Sequence, residues 1–413
     1  MARRGVRVVC ALASVLIAGS VYTTAAAFAV PAGAIPAVVL PVPSGAAEIG
    51  TTTLHLVDPN RADPWRPDQS RELMVTVTYP ATAVENYPLA HYVSTEAAPT
   101  ASRDLAAALH LPVEFENLLG IHTDAHTGAP VLATAEHSLP LVLYSPGAAV
   151  PRGLGTGEAE DLASRGYIVV SIDHTYEALA VEFPGGRIVE GIPSPDDPAQ
   201  SAQWVRTALA ARVADTRFVL DALTALADGQ NPDAEQRALP EGLGRALDLS
   251  HVGMFGHSLG GFTAAEAMAH DARIDAGVNL DGMIGIGEDV GLDAPRGLDR
   301  PLLMMSSQQI ANIEGVEPSW NDFWDNTRGW ARQVELADSG HYSFTDLQTL
   351  VPPVATAVAP DITGQYIGTI RPERATLATR EYVAAMFDRF LRDRAAPLLD
   401  GPSAEFPEVR YVR

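Results

Sequence analysis

The chain contains no lysine. All 28 of its basic residues are arginine, set against 51 acidic residues, for a formal net charge of −23. Phosphate-backbone binding needs clustered cations, so this balance argues against a nucleic-acid partner. It gives no help in capturing polyanionic substrates either, and suits a neutral or zwitterionic one. Cysteine is nearly absent as well. The single one, Cys10, lies in an N-terminal stretch that reads as a removable leader. Without it the chain has no disulfide, no thiol nucleophile and no Cys-ligated metal. Charged residues are only 19% of the 413, while hydrophobic residues are 47%, which permits a large buried core and argues against disorder.

The N-terminus opens "MARRGVR", followed by an uncharged stretch from Val8 to Ala47. Within it "VVCALASVLIAGSVY" has the length and apolarity of a signal h-region, and Ala27 and Ala29 supply small residues for cleavage before Val30. Residues 1–29 are therefore expected to be a signal peptide of a secreted protein. The paired Arg3 and Arg4 fit twin-arginine export as well as the general route. An uncleaved signal that anchors the protein in a membrane is the alternative, because the apolar stretch is long enough to span one. The Ala/Pro-rich residues 30–50 read as a linker, and residues 51–413 as one folded domain.

Beyond the linker, apolar runs alternate with helical patterns. Residues 51–58 and 72–80, rich in β-branched side chains, read as a strand pair. "LPLVLYSPG" (139–147), "YIVVSIDH" (167–174), "SHVGMFGHS" (250–258), "DAGVNLDG" (275–282), "RPLLMMSS" (300–307) and "WARQVELAD" (330–338) each hold a short apolar run. Helical patterns fall at 158–166, 201–227 and 379–393. Strands without polar alternation, separated by helices, predict an α/β fold: a mostly parallel central sheet covered by helices on both faces.

One of these strands ends in "GMFGHSLGGF" (253–262), and "FTAAEAMAH" continues as a helix. Strand, Gly-x-Ser-x-Gly, helix is the context of the nucleophile elbow of α/β-hydrolases. Gly256 and Gly260 leave room across a sharp turn that holds Ser258 in an unfavourable backbone conformation at a helix N-terminus. A hydroxyl needs a base to take its proton. Of eleven histidines, His341 in "ADSGHYSFTD" follows the last apolar strand, where a Ser…Asp…His chain order places the base. His257 precedes the serine and is expected to point away.

Many hydrolases of this fold carry the acid after the strand that here ends in Ser306 and Ser307, with no carboxylate until Glu314. Asp281, at the end of the preceding strand, is the better candidate, with Glu314 and Asp338 as fallbacks. The oxyanion donors are expected to be the backbone N–H groups of Leu259 and Ala148. Met283, Trp320 and Trp324 are candidates for a substrate pocket. Residues 91–135, with Leu109, Leu111, Val113 and Phe115, are a candidate lid or cap. His122, Asp124 and His126 have loop spacing and no fourth ligand, so neither a metal nor another cofactor is expected.

Taken together, "DPNRADPWRPDQSRELMVTVTYPA" (58–81), "LVLYSPGA", "DLASRGYIVVSIDHTYEA", "GHSLGG", "LDG" and "GHYSFTD" resemble the platelet-activating factor acetylhydrolases of the plasma (type II) kind, in particular their secreted actinobacterial lipase/esterase relatives. The resemblance implies an α/β-hydrolase with Ser258 as nucleophile, Asp281 as acid, His341 as base, and Ala148 and Leu259 at the oxyanion positions. It implies a serine carboxylic-ester hydrolase acting through an acyl-enzyme on small-molecule or lipid esters, with transient contact to lipid surfaces and no cofactor. Leu259 and Met283 stand where the eukaryotic relatives have aromatic residues. The alternatives are a non-catalytic secreted binding protein on the same fold and a serine peptidase of that fold. Nothing in the sequence speaks to oligomeric state.

Overall fold

The computed structural model describes residues 38–94, 96–100, 103, 106, 121–132, 135–285, 297–310, 316–358 and 362–413. The signal-peptide reading of residues 1–29 falls outside them, as do Leu109, Leu111, Val113 and Phe115 of the candidate lid.

The strands run β1 (Glu48–Ala62), β2 (Ser70–Ala81), β3 (Leu89–His91), β4 (His122–Thr127), β5 (Leu139–Ser145), β6 (Ile168–Asp173), β7 (Ala180–Phe183), β8 (Arg187–Glu190), β9 (Leu247–His257), β10 (Ala276–Leu280), β11 (Leu302–Ser307), β12 (Ala331–Leu336) and β13 (Val409–Tyr411). Among the described residues β7 and β8 form a separate hairpin, and the rest form one sheet in the order β13-β12-β11-β10-β9-β5-β6-β2-β1-β4-β3. From β12 through β6 the neighbours are all parallel, while β2 and β13 join antiparallel. The expected pair at 51–58 and 72–80 is the antiparallel β1–β2 ladder, longer at both ends than its β-branched cores suggest.

Helices α1 (Thr156–Ser164), α2 (Pro198–Ala227), α3 (Leu259–His270), α4 (Val316–Asn326) and α5 (Pro372–Arg392) cover the sheet. Asp197 starts α2 by accepting the Gln200 N–H at 3.0 Å, with Pro198 in the first turn. On one face Leu209, Leu220 and Leu223 of α2 join Phe262 and Met268 of α3 and Phe323 of α4 over Leu141, Leu143 and Met254. On the other, Leu162 of α1 and Tyr382, Met386 and Phe387 of α5 cover Val142, Phe255, Val278 and Leu303. Adjacent residues of one strand thus feed opposite cores, which is why the parallel strands carry no polar alternation.

Two expectations need correction. The stretch read as a linker is docked over its described part. Val38 and Leu40 are buried, Ser44 binds the Asp161 carboxylate through its N–H and hydroxyl, both at 2.8 Å, and β1 already begins at Glu48. Part of the candidate cap also belongs to the sheet, for β4 pairs parallel with β1. The period-two pattern of β4 is disguised because its outward residues are His122, Asp124 and His126, the trio weighed above as ligands. A buried carboxylate helps attach it to the body: Glu160 of α1 accepts the N–H groups of Asp124 and Ala125 at 3.3 and 3.2 Å, beside the packing of Ala125 on Ile49 and Ala163.

Burial raises the Glu160 carboxyl to about 7, against the opposing pull of the Asp124 N–H. The folded protein therefore holds this proton more tightly than the unfolded chain, and stability is lost as pH rises from the ordinary carboxylate range towards 7. Glu160→Gln is expected to flatten the dependence of melting temperature on pH between about 5 and 8. An unchanged slope in thermal melts across that range would contradict the assignment.

Candidate active site

The C-terminal ends of β5, β9, β10 and β11 and the loop after β12 converge on one point. Ser258 sits between β9 and α3 with φ 56° and ψ −121°, a conformation strained for any residue with a side chain. Its N–H donates to the carbonyl of Leu280 at 2.8 Å and its carbonyl accepts from Phe262 at 3.1 Å, so neighbouring structure holds the turn from both sides. The turn closes only because two side chains are missing. A Cβ on Gly260 would lie 1.9 Å from the Ser145 carbonyl oxygen, and one on Gly256 would lie 2.2 Å from that of Gly260.

The Ser258 hydroxyl lies 3.0 Å from His341 Nε2, and His341 Nδ1 lies 2.6 Å from Asp281 Oδ2. The Nδ1 proton donates to the carboxylate, which leaves Nε2 to accept from the serine. Asp281 follows β10 directly, with φ 58°. The Asn279 side chain ties its turn, accepting the Gly282 N–H at 2.7 Å and donating to the Gly282 carbonyl at 3.0 Å. Ser307 closes the other side of the carboxylate. Its hydroxyl donates to Oδ2 at 2.9 Å, and its N–H donates to Oδ1. The position after β11 where many such folds carry their acid thus holds that acid's hydrogen-bond donor. Asn279 and Ser307 carry no sequence signal beyond their nearness to "LDG" and "MMSS".

The Ala148 and Leu259 N–H groups have no hydrogen-bond partner among the described residues. Gly147 brings the first close to the serine: a Cβ there would lie 3.3 Å from Ser258 Cβ. His257, expected to point away from the hydroxyl, is bonded to the main chain of His341. Fully buried, it donates from Nε2 to the His341 carbonyl at 2.8 Å. Burial, with His341 close by, pushes its pKa well below the ordinary histidine value.

Of the pocket candidates, Met283 is buried in the α2–α3 core. Trp320 is buried too, its indole N–H donating to the Gly282 carbonyl at 3.2 Å beside the Asp281 turn. Trp324 is not brought to the site. Its indole donates to Gln333 at 3.0 Å, and Gln333 pairs with Met304, three residues before the end of β11, roughly 10 Å from the site at ~3.3 Å per residue. The α4 aromatics at helical spacing divide between the site wall and packing on β12. Glu314 lies outside the described residues, and Asp338 is exposed in the turn after β12.

A second Ser-His-Asp chain lies behind the first. Asp215 accepts the His174 Nδ1 proton at 2.9 Å, and His174 Nε2 lies 2.9 Å from the Ser145 hydroxyl. All three are buried. Burial opposes the charge on Asp215, but Arg71, bonded through Nε and Nη2 at 3.0 and 2.6 Å, and His174 hold its pKa far below the carboxylate range. Burial and the nearby Arg212 charge lower His174 to about 4, so the imidazole is neutral and accepts the Ser145 proton.

The fold has a close counterpart. A ferulic acid esterase from Streptomyces cinnamoneus superposes with a TM-score of 0.72 at 37% sequence identity, over 92% of this chain and all of that one. Fold and likeness define the class: a serine ester hydrolase with the α/β-hydrolase architecture. The chain belongs to the family described as platelet-activating factor acetylhydrolase, isoform II, whose model matches residues 107–365. A probable 1-alkyl-2-acetylglycerophosphocholine esterase from Arthroderma benhamiae is 26% identical over 425 residues, spanning 96% of this chain and 100% of that protein. A platelet-activating factor acetylhydrolase from Cavia porcellus is 24% identical over 228 residues, 50% of this chain and 48% of its own.

Gly260→Ala forces a methyl group into the Ser145 carbonyl. It is expected to cost at least ~3 kcal/mol of stability, read as a lower urea midpoint, and to abolish labelling of Ser258 by a fluorophosphonate. Normal stability with normal labelling would show that the elbow does not need this contact.

Proposed function

We propose that this ester hydrolase works through an acyl-enzyme on Ser258, with His341 as base and Asp281 as the acid that orients it. The reading is carried by the continuous hydrogen-bond chain from the Ser258 hydroxyl through His341 to Asp281. His341 Nε2 takes the serine proton as Oγ attacks the ester carbonyl, and the carbonyl electron pair moves onto oxygen. The N–H groups of Leu259 and Ala148 receive that oxyanion at the positive end of α3. As the tetrahedral intermediate collapses, His341 gives its proton to the departing alkoxide and the alcohol leaves. Water, deprotonated by the same nitrogen, then attacks the acyl-serine, and as this second intermediate collapses His341 returns the proton to the departing Ser258 oxygen and the acid is released. Asp281, held by Ser307 and Asn279, keeps the imidazole in the tautomer this cycle needs and balances its charge when protonated.

For the substrate we favour a short acyl ester of a neutral or zwitterionic alcohol, the acetylated glycerophosphocholine named in the relatives being the model case. A feruloyl ester is the second reading, favoured by the more similar structural neighbour. Secretion belongs to the same proposal, on the strength of the charged and apolar pattern of residues 1–29.

Turnover of p-nitrophenyl esters from acetyl to palmitoyl, beside an acetylglycerophosphocholine and methyl ferulate, separates these substrates. Ser258→Ala is expected to abolish turnover and fluorophosphonate labelling without changing the melting temperature, and Asp281→Asn to lower kcat by about 10⁴. Undiminished turnover in either variant refutes the assignment of that residue. Hydrolysis of amides would favour the peptidase, and a folded protein inert towards every substrate and the probe would favour the binding protein. Mass spectrometry of the protein exported by an actinobacterial host is expected to show Val30 at its N-terminus. Retention of residues 1–29 would favour the membrane anchor.

A further inference from the structure

The loop after β5 is held from behind by one buried guanidinium. Arg212, on α2 and almost wholly buried, donates from Nη1 to the Pro146 carbonyl at 2.5 Å and from Nη2 to the Gly147 carbonyl at 3.1 Å. Its Nε donates to Glu177 at 2.6 Å, and Nη1 also reaches the Ser145 hydroxyl at 3.4 Å. That hydroxyl gives its own proton to His174, which leaves its lone pairs for the arginine. Glu177, Asp215 and Arg71 are buried with it.

In a trans peptide the C=O of one residue and the N–H of the next point in opposite directions. Fixing the Gly147 carbonyl therefore fixes the Ala148 N–H, and fixing the Pro146 carbonyl fixes the Gly147 N–H. Successive carbonyls of an extended chain alternate in direction, whereas here both converge on one planar fork. Both N–H groups are thereby directed away from the guanidinium, to the side of the loop where two neighbouring donors can receive an anion. Gly147 lies beside the nucleophile, since a Cβ built on it would come within 3.3 Å of Ser258 Cβ.

We propose that Arg212 is the positioning residue of the oxyanion hole: by clamping the Pro146 and Gly147 carbonyls, with Glu177 as its counter-ion, it aims the Ala148 N–H at the oxygen that becomes negative in the transition state. The inference rests on the serine-hydrolase reading above and adds a residue that never touches substrate. Lysine, a point donor, cannot span two carbonyls and a carboxylate in one plane.

Two variants test it. Arg212→Lys keeps the charge beside Glu177, and Arg212→Met with Glu177→Gln removes both charges together, so that neither is left buried alone. The expected result is a fall in kcat of about 10²-fold with KM changed by less than about threefold, because an oxyanion donor acts on the transition state rather than on the bound ester. A matched pair of oxygen ester and thionoester supplies a readout that general damage would not move. Sulfur is larger and a weaker acceptor, so the donors favour the oxygen ester, and that preference is expected to shrink in both variants. Normal kcat in folded variants overturns the proposal. So does an equal loss on the two esters with their ratio intact, which would mark Arg212 as structural only. If the double variant does not fold, Arg212→Lys decides alone. Ser258→Ala in the same assay isolates the underlying reading: turnover surviving there refutes the nucleophile, whatever the arginine variants do.

Discussion

The site depends on a contact that only a missing side chain allows. The first turn of α3 approaches the end of β5 so closely that the Ser145 carbonyl occupies the space a Gly260 Cβ would need. That approach lifts the serine hydroxyl above the sheet and sets the β5 loop beside it. It also gives the helix a buried N-terminus with free N–H groups. The strained backbone of Ser258 persists because both strand and helix over-determine it.

The protein contains the same three side-chain types in the same hydrogen-bonded order twice, and the difference between them is physical rather than compositional. Ser258–His341–Asp281 has a serine that remains half-buried, unpaired N–H groups beside it, and a backbone conformation that projects its oxygen. Ser145–His174–Asp215 is sealed on every side, with arginines at both ends. Its serine hydroxyl donates to a neutral imidazole, and all three side chains are buried. One chain ends in a serine that solvent reaches, the other in a serine that it does not.

Much of this was legible in the sequence because it lies in local order. The apolar strands, the Gly-x-Ser-x-Gly turn, the aspartate at the end of the strand after it and the Gly-His loop are all read along the chain, and the parallel sheet follows from the strands. What escaped is what folding brings together from afar. Arg212 meets Pro146 across 66 residues and looks, in its helix, like any arginine among alanines. Ser307 registered only as the absence of a carboxylate, although it binds one. Trp320 and Trp324 share a helix and a pattern, yet only one reaches the site, since helical periodicity gives the face but not what lies under it. β4 was hidden because a solvent-facing strand with two histidines and an aspartate resembles a ligand loop.

His257 supplies a last point. Its bond to the His341 main chain joins the residue before Ser258 to the histidine that Ser258 faces, and the two imidazole rings lie 4.6 Å apart. In mechanical terms, Ser258 and His341 are joined by a tether of their own as well as by the loops that carry them. The long excursion of chain separating residues 258 and 341 is thereby closed by a buried bond at its two ends.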